Sequence, residues 1–202
     1  MIVLSLQECT INQMSNEIDL LPEISYEELK KTLQSAKNNK QLQDLIVNAP
    51  FDFKVACAML FLGIIVLLEV DEAGLNINRI ALSDTELAQN TTEVSYVPFK
   101  KIQIPLLHSE NIIATAMRTG QPQDTTDWKF LFEPVLTPEQ ARLNQASGGI
   151  AYSAVYPIKN GKRASALIFS YFQYEQNIGS LQQQFMSRYS ELVTNVVGTP
   201  TS

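Results

Sequence analysis

Tyr156 to Phe172 reads YPIKNGKRASALIFSYF. Its Asn160-Gly161 pair is what a tight β-hairpin needs, because both central residues of a type I′ turn take positive φ, which few side chains tolerate. A two-residue loop there sets Lys159 opposite Lys162, Ile158 opposite Arg163 and, back along the ladder, Tyr152 opposite Phe169. One face then carries Ala151, Ser153, Val155, Ala166, Ile168 and Ser170; the other carries Tyr152, Ala154, Tyr156, Ser165, Leu167 and Phe169. Neither face is polar. A sheet with one wet side would alternate, so the hairpin predicts a sheet covered on both sides, with small residues under close-packed helices on one and large aromatics on the other.

Upstream of the hairpin, helix and strand signals interleave. Ser25 and Glu28 form an S-x-x-E capping box ahead of Leu29, Leu33 and Ala36, which predicts a helix to about Lys37. A shorter helix at 40–48 ends at Pro50, and a third covers Phe51 to Leu62 on a stripe of Phe51, Val55, Ala58 or Met59, and Leu62. Gly63 ends it, and Ile64 to Val70 is a β-branched run suited to a buried strand. After the turn at Asp71 to Gly74, Leu75 to Ile80 alternates strictly, with Asn76 and Asn78 on its wetter face. Residues 83–98 are polar and read as an exposed loop, followed by a short strand in Lys101 to Leu106. Ser109, Glu110, Gly120 and Pro122 punctuate a helix at 110–119. A long connection, 121–136, carries Trp128, Phe130 and Phe132. Thr137, Pro138 and Gln140 then open a helix to about Ala146. A final helix, about 179–196, is striped by Leu181, Phe185, Tyr189, Leu192 and Val196.

Composition narrows the function classes. The chain has 202 residues and a formal net charge of −6, with only small basic clusters, which argues against a nucleic-acid ligand. The apolar run Val55 to Leu68 is shorter than the ~20 residues that cross a bilayer, and acidic residues follow it directly, so no membrane element is expected. The N-terminal stretch lacks a basic n-region and a small-residue cleavage site, so it is not read as a signal peptide. Cys9, Cys57 and the single histidine, His108, offer no disulfide framework and no metal-ligand spacing; a cytoplasmic setting and no metal are expected.

The order of elements resembles that of a GAF domain over about residues 51 to 197. Gly63 to Gly74, GIIVLLEVDEAG, resembles that family's first strand and acidic turn. Glu110 to Trp128, ENIIATAMRTGQPQDTTDW, resembles its glycine-ended helix followed by a proline and an aspartate, and Gly148 to Phe169 resembles its last hairpin. The resemblance implies an α+β fold, an antiparallel sheet with N- and C-terminal helices on one face and a helix and loop layer on the other. It divides the chain into an extension at 1–24, a helical segment at 25–50, the GAF-like domain at 51–197 and a tail at 198–202. It also implies a sensory or regulatory role rather than an enzyme. No cysteine near His108 matches the attachment site of bilin-binding relatives, so no covalent bilin is expected, and no cofactor can be named.

Two readings stay open. In the first, a small molecule binds between the sheet and the 110–146 layer, against Trp128, Phe130, Phe132, Asp127, Tyr152 and Tyr156. The terminal helices then signal through a homodimer built on Leu29, Leu33, Leu181, Phe185 and Leu192, or through a protein partner. In the second, side chains fill the interior and the domain serves for dimerisation or protein docking. Asp124 and Asp127 resemble an acid pair, but in this loop they read first as turn or cap residues, with a ligand role as the alternative.

Overall fold

A computed structural model describes residues 24–160, 163–172 and 179–198. The elements in order are helices α1 (Tyr26–Gln34), α2 (Asn39–Asn48) and α3 (Lys54–Met59), strands β1 (Leu62–Val70) and β2 (Asn76–Leu82), α4 (Glu86–Glu93), β3 (Gln103–Pro105), α5 (Ile112–Thr119), β4 (Gln123–Thr125), α6 (Lys129–Phe132), α7 (Pro138–Ser147), the hairpin β5 (Tyr152–Asn160) and β6 (Arg163–Tyr171), and α8 (Ser180–Gly198). The strands form one antiparallel sheet in the order β3-β2-β1-β6-β5-β4. The expected α+β architecture, a sheet with terminal helices on one face and a helix and loop layer on the other, is the one observed. No helix among the described residues is long and apolar enough to cross a membrane.

The hairpin is offset from its expected register. Asn160 stands in the ladder opposite Arg163, and Tyr152 meets Tyr171 rather than Phe169. The turn positions Gly161 and Lys162 lie outside the described residues. An offset of two keeps side-chain parity, so the division into two faces is unchanged. What the two faces meet differs from expectation. The aromatic face, with Tyr152, Leu167, Phe169 and Tyr171, packs under α1, α2 and α8. Phe169 meets the rings of Phe185 and Tyr189 edge-on at 5.8 and 6.3 Å, so interlocking rings fill the gap between the sheet and the long helix. The small-residue face, with Val155, Ala166 and Ile168, lies under α4 to α7.

Local chemistry accounts for the elements and for three departures. Thr137 caps α7 with the full reciprocal box to Gln140, and Gly120 ends α5 at φ 66°, both as the sequence predicts. The α5 cap, however, is Asn111 and not Ser109: its Oδ1 accepts from the Ile113 and Ala114 amides at 2.9 and 3.2 Å. The expected helix at 51–62 is broken, because Phe61 turns the chain at φ 56° and β1 already begins at Leu62. Its buried side is Ala56, Cys57 and Leu60, and Val55 and Met59 of the expected stripe are exposed. Gly63 lies inside β1, where a Cβ would stand 2.7 Å from Leu87 Cδ1, so glycine lets α4 approach the strand. Residues 83–98 are not simply an exposed loop, since Thr85 caps α4 by accepting from the Ala88 amide at 3.2 Å, and Ala88 is buried.

Candidate functional site

Between the sheet and the α4 to α7 layer lies a cavity of about 30 Å³. Its floor is Ile64 and Val66 of β1 with Ile168 and Ser170 of β6, and Trp128, Leu131 and Phe132 wall it from the α6 side. Arg79 enters from β2. Its placement follows from the alternation of that strand: Ile77 and Arg79 share the face turned to this layer, and Asn76 and Asn78 do not. A bulge then shifts the β1–β2 register, with Leu68 opposite Arg79 but Leu67 opposite Ala81, which returns Leu82 to the cavity side.

Arg79 is only 7% exposed. Its guanidinium lies 4.2 Å from the Phe132 ring centroid and 5.6 Å from that of Phe99. Nε and Nη2 have no hydrogen-bond partner. No described carboxylate pairs with it, and no other charged residue lines the cavity. Burial pulls its pKa down to about 9, the direction expected when a cation loses water without gaining an anion. Ring faces offset part of this cost, but an unpaired charge in such surroundings remains expensive.

A second unpaired group shares the cavity. Asn144, on α7, is buried and donates from Nδ2 to Ser95 Oγ at 3.1 Å, while its Oδ1 has no partner. The orientation of this amide is fixed by Ser95, whose hydroxyl donates to the Val97 carbonyl at 2.8 Å and therefore accepts from Asn144. Six buried side-chain atoms lack partners among the described residues; three of them belong to Arg79 and Asn144, both of which line this cavity. By contrast Trp128 is satisfied: its Nε1 donates to Ser153 Oγ at 2.8 Å, and Ser153 is bonded to Ser170.

The six residues assigned to a ligand site from sequence do not come together. Trp128 and Phe132 line the cavity. Phe130 does not; it is half-buried beneath Lys129, whose Nζ lies 4.3 Å from its ring centroid. Asp127 pairs with Arg142 at 2.7 Å and accepts from the Lys129 amide, and the hydrogen bond from Arg142 holds its carboxyl below the usual carboxylate range. Tyr152 and Tyr156 lie on the opposite face of the sheet, in the core beneath the terminal helices, because even-numbered positions of β5 point that way. Sequence reasoning missed Arg79 and Asn144. The signal for Arg79 was present, since strict alternation sets it with Ile77 on the dry side of β2.

The stripe assigned to a dimer interface is largely intramolecular. Leu29, Leu33 and Phe185 are buried between α1, α8 and the sheet, and only Leu181 and the half-buried Leu192 reach the surface. Cys57 also lies in that core, where its thiol donates to the Pro50 carbonyl at 3.1 Å and burial pushes its pKa up to about 12. Among the described residues no cluster of metal-binding side chains occurs.

The sequence matches no family model and no curated protein. Solved structures do resemble it. A methyl-accepting chemotaxis protein fragment, residues 122 to 287, aligns with a TM-score of 0.56 at 10% identity, covering 85% of this chain and 94% of that one. The GAF domain of an Acinetobacter phosphoenolpyruvate-protein phosphotransferase gives 0.55 at 10% identity, over 85% and 89%. The free methionine-R-sulfoxide reductase of Neisseria meningitidis, in complex with its substrate, gives 0.54 at 9% identity, over 85% of each chain. At these identities the likeness is one of fold, and with the covered six-stranded sheet it establishes that the chain has the fold of a GAF domain.

Proposed function

We propose that the chain is a sensory or regulatory module that binds a small anionic molecule in the cavity beside Arg79. The observation that carries this reading is the buried guanidinium with two unpaired nitrogens and no carboxylate to meet it. A bound anion would convert an unfavourable buried charge into a charge-assisted pair, so the site should be thermodynamically primed for one.

A route to the surface supports a regulatory role. Ile168 and Ser170 of β6 line the cavity, and the intervening Phe169 packs from the other side of the strand against Phe185 and Tyr189 of α8. A ligand biases the packing of α8 only to the extent that it binds two arrangements of this strand unequally. Thiol chemistry at the cavity is not supported by Cys57, which is on the opposite side of the sheet with its thiol held protonated.

The test is a thermal-shift screen of small metabolites on the wild-type chain and on Arg79→Met. Anionic compounds that stabilise the wild type by several degrees and leave the variant unmoved support the reading. Equal responses from both proteins, or no response to any anion, overturn it.

A further inference from the structure

The free nitrogens of Arg79 and the size of the cavity specify more than the sign of the ligand's charge. Nε and Nη2 share one edge of the guanidinium and present parallel N–H bonds, the fork that two oxygens on one central atom match. Among the described residues no other cation lines the cavity, so one negative charge is neutralised there and a second is not. Size is the stricter limit. A cavity of about 30 Å³ has room for about two to three water-sized atoms, and a planar oxyanion of three non-hydrogen atoms reaches that limit.

The other polar groups of the wall set a further condition. The Thr91 and Thr92 hydroxyls donate to the Ala88 and Gln89 carbonyls at 2.8 and 2.9 Å, and Ser95 donates to the Val97 carbonyl, so none of the three has a proton to spare. Ser170 is hydrogen-bonded to Ser153, and Asn144 Oδ1 is an acceptor. Apart from the Arg79 edge, the wall therefore offers mainly lone pairs, which the extra oxygens of a larger or more highly charged anion would oppose. An anion that spends both its oxygens on the guanidinium avoids that conflict.

We infer that the cavity takes a three-atom oxyanion of the formate or nitrite kind, with both oxygens on the Nε and Nη2 edge of Arg79, and excludes carboxylates that carry a carbon chain. This rests on the reading that the cavity is a ligand site, and it adds the size and class of the ligand. Recognition then depends on two properties of one side chain, its charge and its fork, and on a cavity volume that leaves no room for a methyl group beyond the three atoms.

Calorimetric titration of the full chain at constant ionic strength with formate, nitrite, acetate, propionate, chloride and formamide tests it. Formate or nitrite should bind saturably, and the tighter of the two identifies the oxyanion. Acetate, with a fourth non-hydrogen atom, and propionate should bind at least tenfold more weakly. Chloride, which brings one acceptor to two N–H groups, and formamide, which brings no charge, should also be at least tenfold weaker. Arg79→Met should abolish binding, and binding that survives it would overturn the assignment. Arg79→Lys keeps the charge without the fork and should hold formate no better than chloride. The size series is read on the wild type alone, so it stands even where a variant fails to fold. If acetate, propionate or larger anions of the wider screen bind in an Arg79-dependent manner as tightly as formate and nitrite, or bind while those two do not, the three-atom assignment is wrong although the cavity is a ligand site. Chloride bound as tightly as either oxyanion would refute the fork. If none of the six binds and the wider anion screen is also silent, both the assignment and the ligand-site reading fail.

Discussion

Replacing Arg79 by methionine should change the stability of the ligand-free protein by no more than about 2 kcal/mol, an unusual expectation for a side chain only 7% exposed. Methionine replaces the stem as far as Nε, and it carries no charge to strip of water. Replacing buried ionic groups by apolar ones of like volume is commonly neutral or stabilising by about 1–4 kcal/mol. Against this stands the loss of the guanidinium over Phe132 at 4.2 Å and near Phe99 at 5.6 Å. A desolvated cation–π contact is worth up to about 2 kcal/mol, and the more distant ring contributes less. The balance lies between about 2 kcal/mol against the variant and about 2 kcal/mol in its favour. For a chain of 202 residues each kcal/mol moves Tm by about 2–4 °C, so Arg79→Met should melt within about 8 °C of the wild type. Calorimetry of both proteins in an anion-poor buffer reads this directly. A fall of more than about 8 °C, with the native far-UV spectrum retained, would show that the charge is satisfied by the fold itself.

Other parts of the account are open to equally direct tests. Phe185→Ala should lose about 3–5 kcal/mol in urea denaturation, because the ring is core; if it instead dissociates a dimer without loss of protomer stability, the intramolecular placement is wrong. Asn111→Ala should cost about 2–3 kcal/mol, since it removes two amide caps and a donor to the Glu133 carbonyl from a fully buried site; a loss below 0.5 kcal/mol, roughly that of a surface change, would contradict the cap. Cys57, in a Cys9→Ser background, should resist alkylation at pH 8.5 and react on unfolding. Its folded pKa of about 12 lies above that of a free thiol, so above ~8.5 the unfolded chain ionises while the folded one does not, and stability from this group falls as pH rises. Rapid labelling of native protein would contradict that burial.

The hairpin shows how far local sequence carries. Its two apolar faces were legible from alternation alone, and so was the demand for cover on both. Which cover goes where was not: the choice depends on Phe185 and Tyr189, residues of a distant helix whose rings happen to fill the space above Phe169. The same limit explains the misplaced tyrosines. Tyr152 and Tyr156 looked like partners for Trp128, but parity on β5 sends them to the far side of the sheet. The caps at Thr137 and Ser25 were readable because the side chain and the amide it meets lie within one turn, although only Thr137 closes the reciprocal box, and Ser25 accepts from the Glu28 amide alone. Helix α4 was not, since its buried side reduces to Ala88 and Thr91 in an otherwise polar segment, and Leu87 makes its closest approach to β1 over Gly63. Arg79 is the instructive case. Alternation set it on the dry face of β2, but a lone charge in a strand ordinarily reaches solvent, and only the layer folded over it by α4 to α7 closes that route. Asn144 gave no signal at all, because an asparagine in a short polar helix acquires meaning only from what Ser95 does to its amide.

The central claim is that the Arg79 guanidinium is an anion receptor, and its own N–H signal reports on this most directly. In 15N-labelled protein, the Arg79 Nε–H resonance, identified by its absence from Arg79→Met, should move downfield and saturate as a small anion such as formate is added. The Asn144 side-chain amide should move with the same binding constant. An Nε–H resonance that stays in place while formate, nitrate and bicarbonate are each raised to tens of millimolar would contradict the claim.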